Sequence, residues 1–176
     1  MLPCFIVLSL TLTYFTQLSR CLAAITNRTI DDTNGDPITG FMPMYTPNNL
    51  QWNVGSACTG CKIQPDPDLA FDSNWHAITR HEGDGPTFVT LNFTGAAIYL
   101  FSFLPSEIPW VTTLASLQFT LDGEMVGTYA HSPDNSSTYE YSVPVISLES
   151  FVNKPHTLVA EPVGTSYFIF DYVFYT

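Results

Sequence analysis

Along this chain, apolar residues alternate with polar ones in short runs, and Pro or Gly breaks those runs about every eight to twelve residues. A period of two with frequent interruption leaves no length for a helix and dictates strands joined by turns. Val89, Leu91 and Phe93 face one way, with Thr90 and Asn92 between them. Leu117, Phe119 and Leu121 alternate with Gln118 and Thr120 in the same manner. Asp122-Gly123 follows at once. Asp and Gly both tolerate the left-handed conformations that a two-residue hairpin turn demands, so Met125 onward is expected to be the returning strand. Val89, Leu91, Phe93, Leu117, Phe119 and Leu121 form the expected core.

Two segments, Ala97 to Leu104 and Tyr167 to Tyr175, are apolar at successive positions and are expected to be central strands covered on both faces. Further strands are expected near Gly40 to Tyr45, Trp75 to Arg80, Tyr139 to Val145 and Thr157 to Glu161. Pro144 and Pro162 cannot donate to a ladder, which confines them to edges or strand ends. About nine strands at regular spacing predict an all-β fold, a two-sheet antiparallel jelly-roll sandwich.

The 176 residues suit one domain. The net charge is −11 with only five Lys and Arg, and the acidic groups are scattered. Such a surface repels a phosphate backbone, which excludes nucleic acid as a partner. Phe5 to Phe15 is apolar and leads to Cys21-Leu22-Ala23-Ala24, the pattern of a secretory signal, although no Lys or Arg precedes it. Cleavage after Ala24 divides the chain into a signal peptide, 1–24, and one sandwich domain, 25–176. No later stretch reaches transmembrane length; Tyr167 to Tyr175 is short and holds Asp171. The expected location is outside the cell, with no span in the mature chain.

Removal of the signal takes Cys4 and Cys21 away and leaves Cys58-Thr59-Gly60-Cys61. In an oxidising compartment the two ends of a tight turn lie within disulfide range, and a bridge of this length is worth roughly 2 kcal/mol by loop entropy. A redox motif would need a βαβ setting, and a zinc site two further ligands. Glycosylation sequons begin at Asn27, Asn92 and Asn135. Asn135 lies in a turn-rich stretch, and Asn92 points away from the apolar face of its strand.

Catalytic patterns are absent from the sequence. There is no nucleophile elbow, so no catalytic residue is assigned and the chain is expected not to be an enzyme. His76, His81, Glu82 and Asp84 mix imidazole with carboxylate, but their spacing fits no zinc site on a strand or helix, and a solvated loop explains them. Asp31-Asp32-Thr33-Asn34-Gly35-Asp36 is the densest window of hard oxygen ligands. It lacks the terminal Glu of an EF-hand loop; calcium on Asp31, Asp32 and Asp36 competes there with an ordinary Asx-rich turn. No other cofactor is expected. Sugar recognition combines an aromatic platform with a few polar groups. Trp75 with His76, and Trp110 in a Pro-flanked loop, are the candidates; Trp52 reads as core.

The chain resembles a family of small extracellular proteins of mushroom-forming fungi, whose function is uncharacterised. The resemblance rests on Ile30-Asp31-Asp32-Thr33, Gly35-Asp36, Trp52 with Cys58-Thr59-Gly60-Cys61, Phe71-Asp72 with Trp75-His76, Phe93-Thr94-Gly95, Phe119-Thr120-Leu121-Asp122-Gly123, Pro155-His156-Thr157-Leu158 and Phe170-Asp171-Tyr172. It implies a galactose-binding-like β-sandwich and brings no activity with it. Relatives continue into a membrane span, for which this chain has no matching stretch. The function expected is a non-catalytic module that binds extracellular glycan at the cell surface or wall. The alternatives are a structural or adhesive surface protein and, third, an enzyme acting on polysaccharide; fold-level analogy alone does not separate them.

Overall fold

The computed structural model describes residues 26–48, 51–136 and 138–176. The expected signal, with Cys4 and Cys21, lies outside the described residues, as does Ser137 of the third sequon. The fold is all-β. Its strands are β1 (Arg28–Asp31), β2 (Met44–Thr46), β3 (Asn53–Val54), β4 (His76–Arg80), β5 (Phe88–Gly95) and β6 (Ile98–Leu104). They continue as β7 (Ala115–Leu121), β8 (Glu124–His131), β9 (Glu140–Leu148), β10 (Lys154–Pro162), β11 (Ser166–Phe170) and β12 (Tyr172–Tyr175). Helix is limited, among the described residues, to short 3-10 turns at Gly55–Ala57, Pro67–Leu69 and Phe71–Ser73.

Every strand pairing is antiparallel. A five-stranded sheet, in the order β2-β5-β10-β7-β8, faces a four-stranded sheet, β1-β12-β6-β9. The period of two explains the core between them. Val89, Leu91, Phe93, Leu117 and Phe119 project inward from one sheet and meet Ile30, Ile98, Leu100, Val173 and Tyr175 from the other. Leu121, expected among them, is only partly buried at the sheet's end. Asp122 and Gly123 have φ of 53° and 87°, the left-handed pair that the β7–β8 hairpin requires.

The apolar segment Tyr167 to Tyr175 is two strands rather than one. It breaks at Asp171: β12 joins the four-stranded sheet, whereas β11 belongs to a three-stranded sheet, β11-β4-β3. Both faces of β11 are covered, because Phe168 and Phe170 enter the main core while Tyr167 and Ile169 enter a second one with Ile63, Trp75, Ala77 and Phe103. β12 departs from the expectation: its outer residues, Tyr172 and Phe174, are half-buried, as are Tyr99 and Phe101 on β6. These rings shield one another. Phe71 stacks on Tyr172 at 4.7 Å, and Tyr172 stacks on Phe101 at 4.6 Å.

Proline behaves as its missing donor dictates. Pro144 lies in the edge strand β9 at a shift of register against Leu100 and Phe101, and Pro162 ends β10. The strand expected at Gly40 to Tyr45 begins only at Met44, because Asp36 and Phe41 close a turn through Asp36 N–H to Phe41 C=O at 2.8 Å.

Phe119 is fully buried and Met125 is 63% exposed on the partner strand. Replacing Phe119 by Ala should lower stability by about 3–5 kcal/mol. Replacing Met125 by Ala should change it by less than about 0.5 kcal/mol, both read from urea unfolding midpoints.

Candidate functional site

Residues 105–114 cross from β6 to β7 as a loop held from below. Ile108 and Val111 pack on the second core, and Ile108 C=O accepts the Val111 N–H at 3.1 Å. Glu107 N–H donates to Asp134 C=O at 2.9 Å, tying this loop to the one that carries Asn135. Between Ile108 and Val111, Pro109 and Trp110 are turned out. The φ of Trp110 is 67°, an unusual backbone state for a bulky residue, and its side chain is completely exposed. The ring borders a shallow depression of about 580 Å³ lined also by Glu107, Thr112, Thr113, Leu114 and Pro133. An apolar plate beside a carboxylate and hydroxyls matches the two-sided chemistry of a sugar ring.

Trp75 is placed otherwise than expected. It is 3% exposed, meets Phe103 edge-on at 5.8 Å, and lies so close to Gly55 that a Cβ there would overlap the indole. A residue locked in this way cannot offer a stacking face, so Trp75 is a core residue. Trp52, 6% exposed, is core as expected. His76 is half-buried, stacks on Tyr45 with centroids 4.3 Å apart, and brings Nδ1 to 2.6 Å from Asp32 Oδ2. These rings line a small cleft of about 240 Å³ with Pro47, Asn48 and Val54.

The acidic window divides into two arrangements. Asp36 is satisfied within its own turn: Oδ1 accepts the Ile38 and Thr39 amides, and Oδ2 accepts the Thr39 hydroxyl at 2.7 Å and the Tyr175 hydroxyl. Burial pushes the Asp36 carboxyl up, but these donors outweigh it and hold it below the usual carboxylate range. Asp31 and Asp32 instead face Asp171, at the junction of β11 and β12. Asp32 N–H donates to Asp171 C=O at 3.1 Å, and Asp171 Oδ1 accepts the Phe71 N–H at 3.1 Å. Asp31, Asp32 and Asp171 are at most 2% exposed, and each keeps a buried carboxylate oxygen with no hydrogen-bond partner. Burial, together with the neighbouring carboxylates, pushes Asp31 up to about 6 and Asp171 to about 8. Asp72, exposed at φ 48°, adds charge to both. Asp171 and Asp72 belong to this cluster although no local motif marks them. The available signal was one Asp inside the apolar run from Tyr167 to Tyr175.

Cys58 and Cys61 are bridged, with Cα atoms 5.4 Å apart across the turn closed by Cys61 N–H to Cys58 C=O. Asn27, Asn92 and Asn135 are all exposed, although Asn92 Oδ1 accepts the Thr157 hydroxyl at 2.8 Å. His81, Glu82 and Asp84 form a loop in which Asp84 Oδ2 accepts the His81 N–H at 2.7 Å. His76 lies apart from them, on β4 against Asp32. Among the described residues no helix is long and apolar enough to cross a membrane.

No family model matches the chain, and no curated protein sequence does. Among solved structures, the Agl-KA catalytic domain superposes with a TM-score of 0.51 at 9% identity, over 86% of this chain and 28% of that one. A family 35 carbohydrate binding module from Clostridium thermocellum gives a TM-score of 0.48 at 8% identity, over 85% of this chain and 96% of the module. The GH26-CBM35 β-(1,4)-mannanase of Podospora anserina gives 0.45 at 12% identity, over 85% of this chain and 27% of the enzyme. At such identities the first likeness concerns the β-sandwich fold alone.

The raised carboxyls fix a pH dependence. Asp31 and Asp171 hold protons in the folded chain that the unfolded chain, at a carboxyl pKa of 3.8, has already lost. Their contribution to stability is therefore full below about pH 4 and is lost as pH rises through about 6 and about 8. In chelator, urea midpoints should fall between pH 5 and 8, and Asp171→Asn should flatten the upper part of that fall. A wild-type profile identical to that of Asp171→Asn would show that Asp171 does not titrate there.

Proposed function

We propose that this chain is an extracellular, non-catalytic module that binds glycan through the Trp110 loop. The observation that carries the reading is Trp110 itself: a fully exposed indole on left-handed backbone, beside Glu107 and the hydroxyl of Thr112. Exposing a surface of this size to water costs free energy that folding alone would recover by turning the ring inward, as it does at Trp52 and Trp75. Outward display is expected where a ligand covers the ring. A pyranose supplies an apolar face for the indole and hydroxyls for the carboxylate and threonine. The extracellular setting draws support from the apolar leader at Phe5 to Phe15, the Cys58–Cys61 bridge and the exposed sequon asparagines.

The reading is tested by pull-down on insoluble wall polysaccharides and by a glycan array. Trp110→Ala should lose about 5- to 150-fold in affinity, the range expected of a truncated aromatic hot spot worth about 1–3 kcal/mol. Its melting temperature should not fall, because nothing is packed on the ring. Trp75→Ala should behave oppositely, losing stability through the second core. Failure of the wild-type protein to retain any wall glycan would favour a structural or adhesive surface protein. Release of reducing ends would make it an enzyme.

A further inference from the structure

Of the three sequon asparagines, Asn92 alone lies within a strand, β5. Residues two apart on a strand share a face. Asn92 and Thr94, the first and third members of the sequon, therefore project together from the outer face of the five-stranded sheet, opposite the buried Leu91 and Phe93. Both are exposed. Across the ladder Thr157 pairs with Asn92, and its hydroxyl donates to Asn92 Oδ1 at 2.8 Å. That bond fixes the amide and leaves Nδ2, the atom that carries an N-linked sugar, without an acceptor among the described residues. Asn92 borders a depression of about 420 Å³ lined also by Thr39, Phe41, Thr94, Pro155 and Thr157. Beside it the sheet ends at the short edge strand β2, where Met44 pairs with Thr90. Met44 is exposed, as are Met42 and Ile38 just before it. An edge ladder flanked by exposed apolar side chains invites pairing with another chain, and proteins ordinarily blunt or cover such edges.

We propose that Asn92 is N-glycosylated, and that the first sugar of its glycan lies in this depression against Phe41 and Pro155 and covers the edge of the sheet at β2. The donor is an oligosaccharide carried on a polyprenyl diphosphate. Asn92 Nδ2 forms a bond to the anomeric carbon of that sugar and gives up one proton. The bond from the anomeric carbon to the diphosphate oxygen breaks, and the diphosphate leaves with the bonding pair. Folding then lays the sugar on the sheet. A pyranose has an apolar face, which an aromatic ring and a proline ring can cover, and hydroxyl edges that stay in water. A bulky, hydrated group anchored there keeps a second chain from reaching β2. The proposal shares with the glycan-binding reading only the extracellular setting, since the Trp110 loop takes no part in it.

The experiment is expression of the full chain in a eukaryotic secretory host, glycopeptide mass spectrometry of the product, and treatment of native and denatured protein with an amidase that releases N-glycans. Asn92 should carry a glycan. Its release should be about tenfold slower from the native protein than from the denatured one, because the amidase must reach a covered sugar–amide bond. Asn92→Gln and Thr94→Ala should each remove the mass of one glycan, and Thr94→Ser should keep it. Phe41→Ala should leave the glycan attached and speed its release from native protein; Pro155→Ala supplies the same reading if Phe41→Ala does not fold. By light scattering, Asn92→Gln should associate more than the wild type, and Met44→Lys added to it should reverse this. A secreted protein with Asn92 bare overturns the proposal and leaves the Trp110 reading standing. Retention of the chain inside the cell removes the extracellular setting and overturns both. A glycan released equally fast from native and denatured protein, or association that loss of the glycan leaves unchanged, also overturns the proposal.

Discussion

Asp171 interrupts the last apolar run of the chain, and three other segments are built onto it. Its amide donates to Phe101 on β6, its carbonyl accepts from Asp32, and its carboxylate accepts from Phe71. The chain on its N-terminal side runs in one sheet and the chain on its C-terminal side in another. A change of sheet leaves backbone donors and acceptors without ladder partners, and a buried segment must find them elsewhere. Asp171 finds them in β6 and in the end of β1, and its side chain holds the 71–73 turn against the junction. The cost is a carboxylate in the dry interior beside two others, and burial pushes the Asp31 and Asp171 carboxyls up there.

The same junction explains why there are two hydrophobic cores. β11, in the three-stranded sheet, lies between the two, sending Phe168 and Phe170 to one side and Tyr167 and Ile169 to the other. The second core needs a roof, and the connections supply it. Ile63 reaches in from the long segment after the disulfide, Trp75 from the start of β4, and Ile108 and Val111 from the loop before β7. Gly55 is required where Trp75 lies against the backbone, since any Cβ would occupy the space of the ring. Ile108 and Val111 hold the loop against that roof, and Trp110 between them stands outside.

Much of the fold is legible in the residues. The two-residue period of Val89 to Phe93 and of Leu117 to Leu121 places the core face correctly, because a strand has only two faces and water selects between them. Asp122-Gly123 marks its hairpin because few dipeptides accept two left-handed residues in succession. The Cys58–Cys61 bridge is legible because the reach of a tight turn is fixed by covalent geometry. The split at Asp171 is less legible, since an apolar run carries no record of which sheet each residue will join. Tryptophan is least legible of all: polar Asn74 and His76 flank the buried Trp75, apolar Pro109 and Val111 flank the exposed Trp110, and only the packing of other segments buries one and exposes the other.

Sequence by itself determined the class of fold, the inward faces of the long strands, the hairpin at Asp122-Gly123 and the disulfide, all of them consequences of geometry acting over a few adjacent residues. Tertiary structure decided which carboxylates lie together. Asp36 lies within five residues of Asp31, yet its own turn, with Tyr175, satisfies it; Asp171 is distant in sequence, yet antiparallel pairing of β1 with β12 brings it to Asp32. Local turns form from neighbouring amides and consume the nearest oxygens first. The oxygens left over are gathered only when the two ends of the described chain pair, and that pairing depends on the whole sandwich rather than on any window of its sequence.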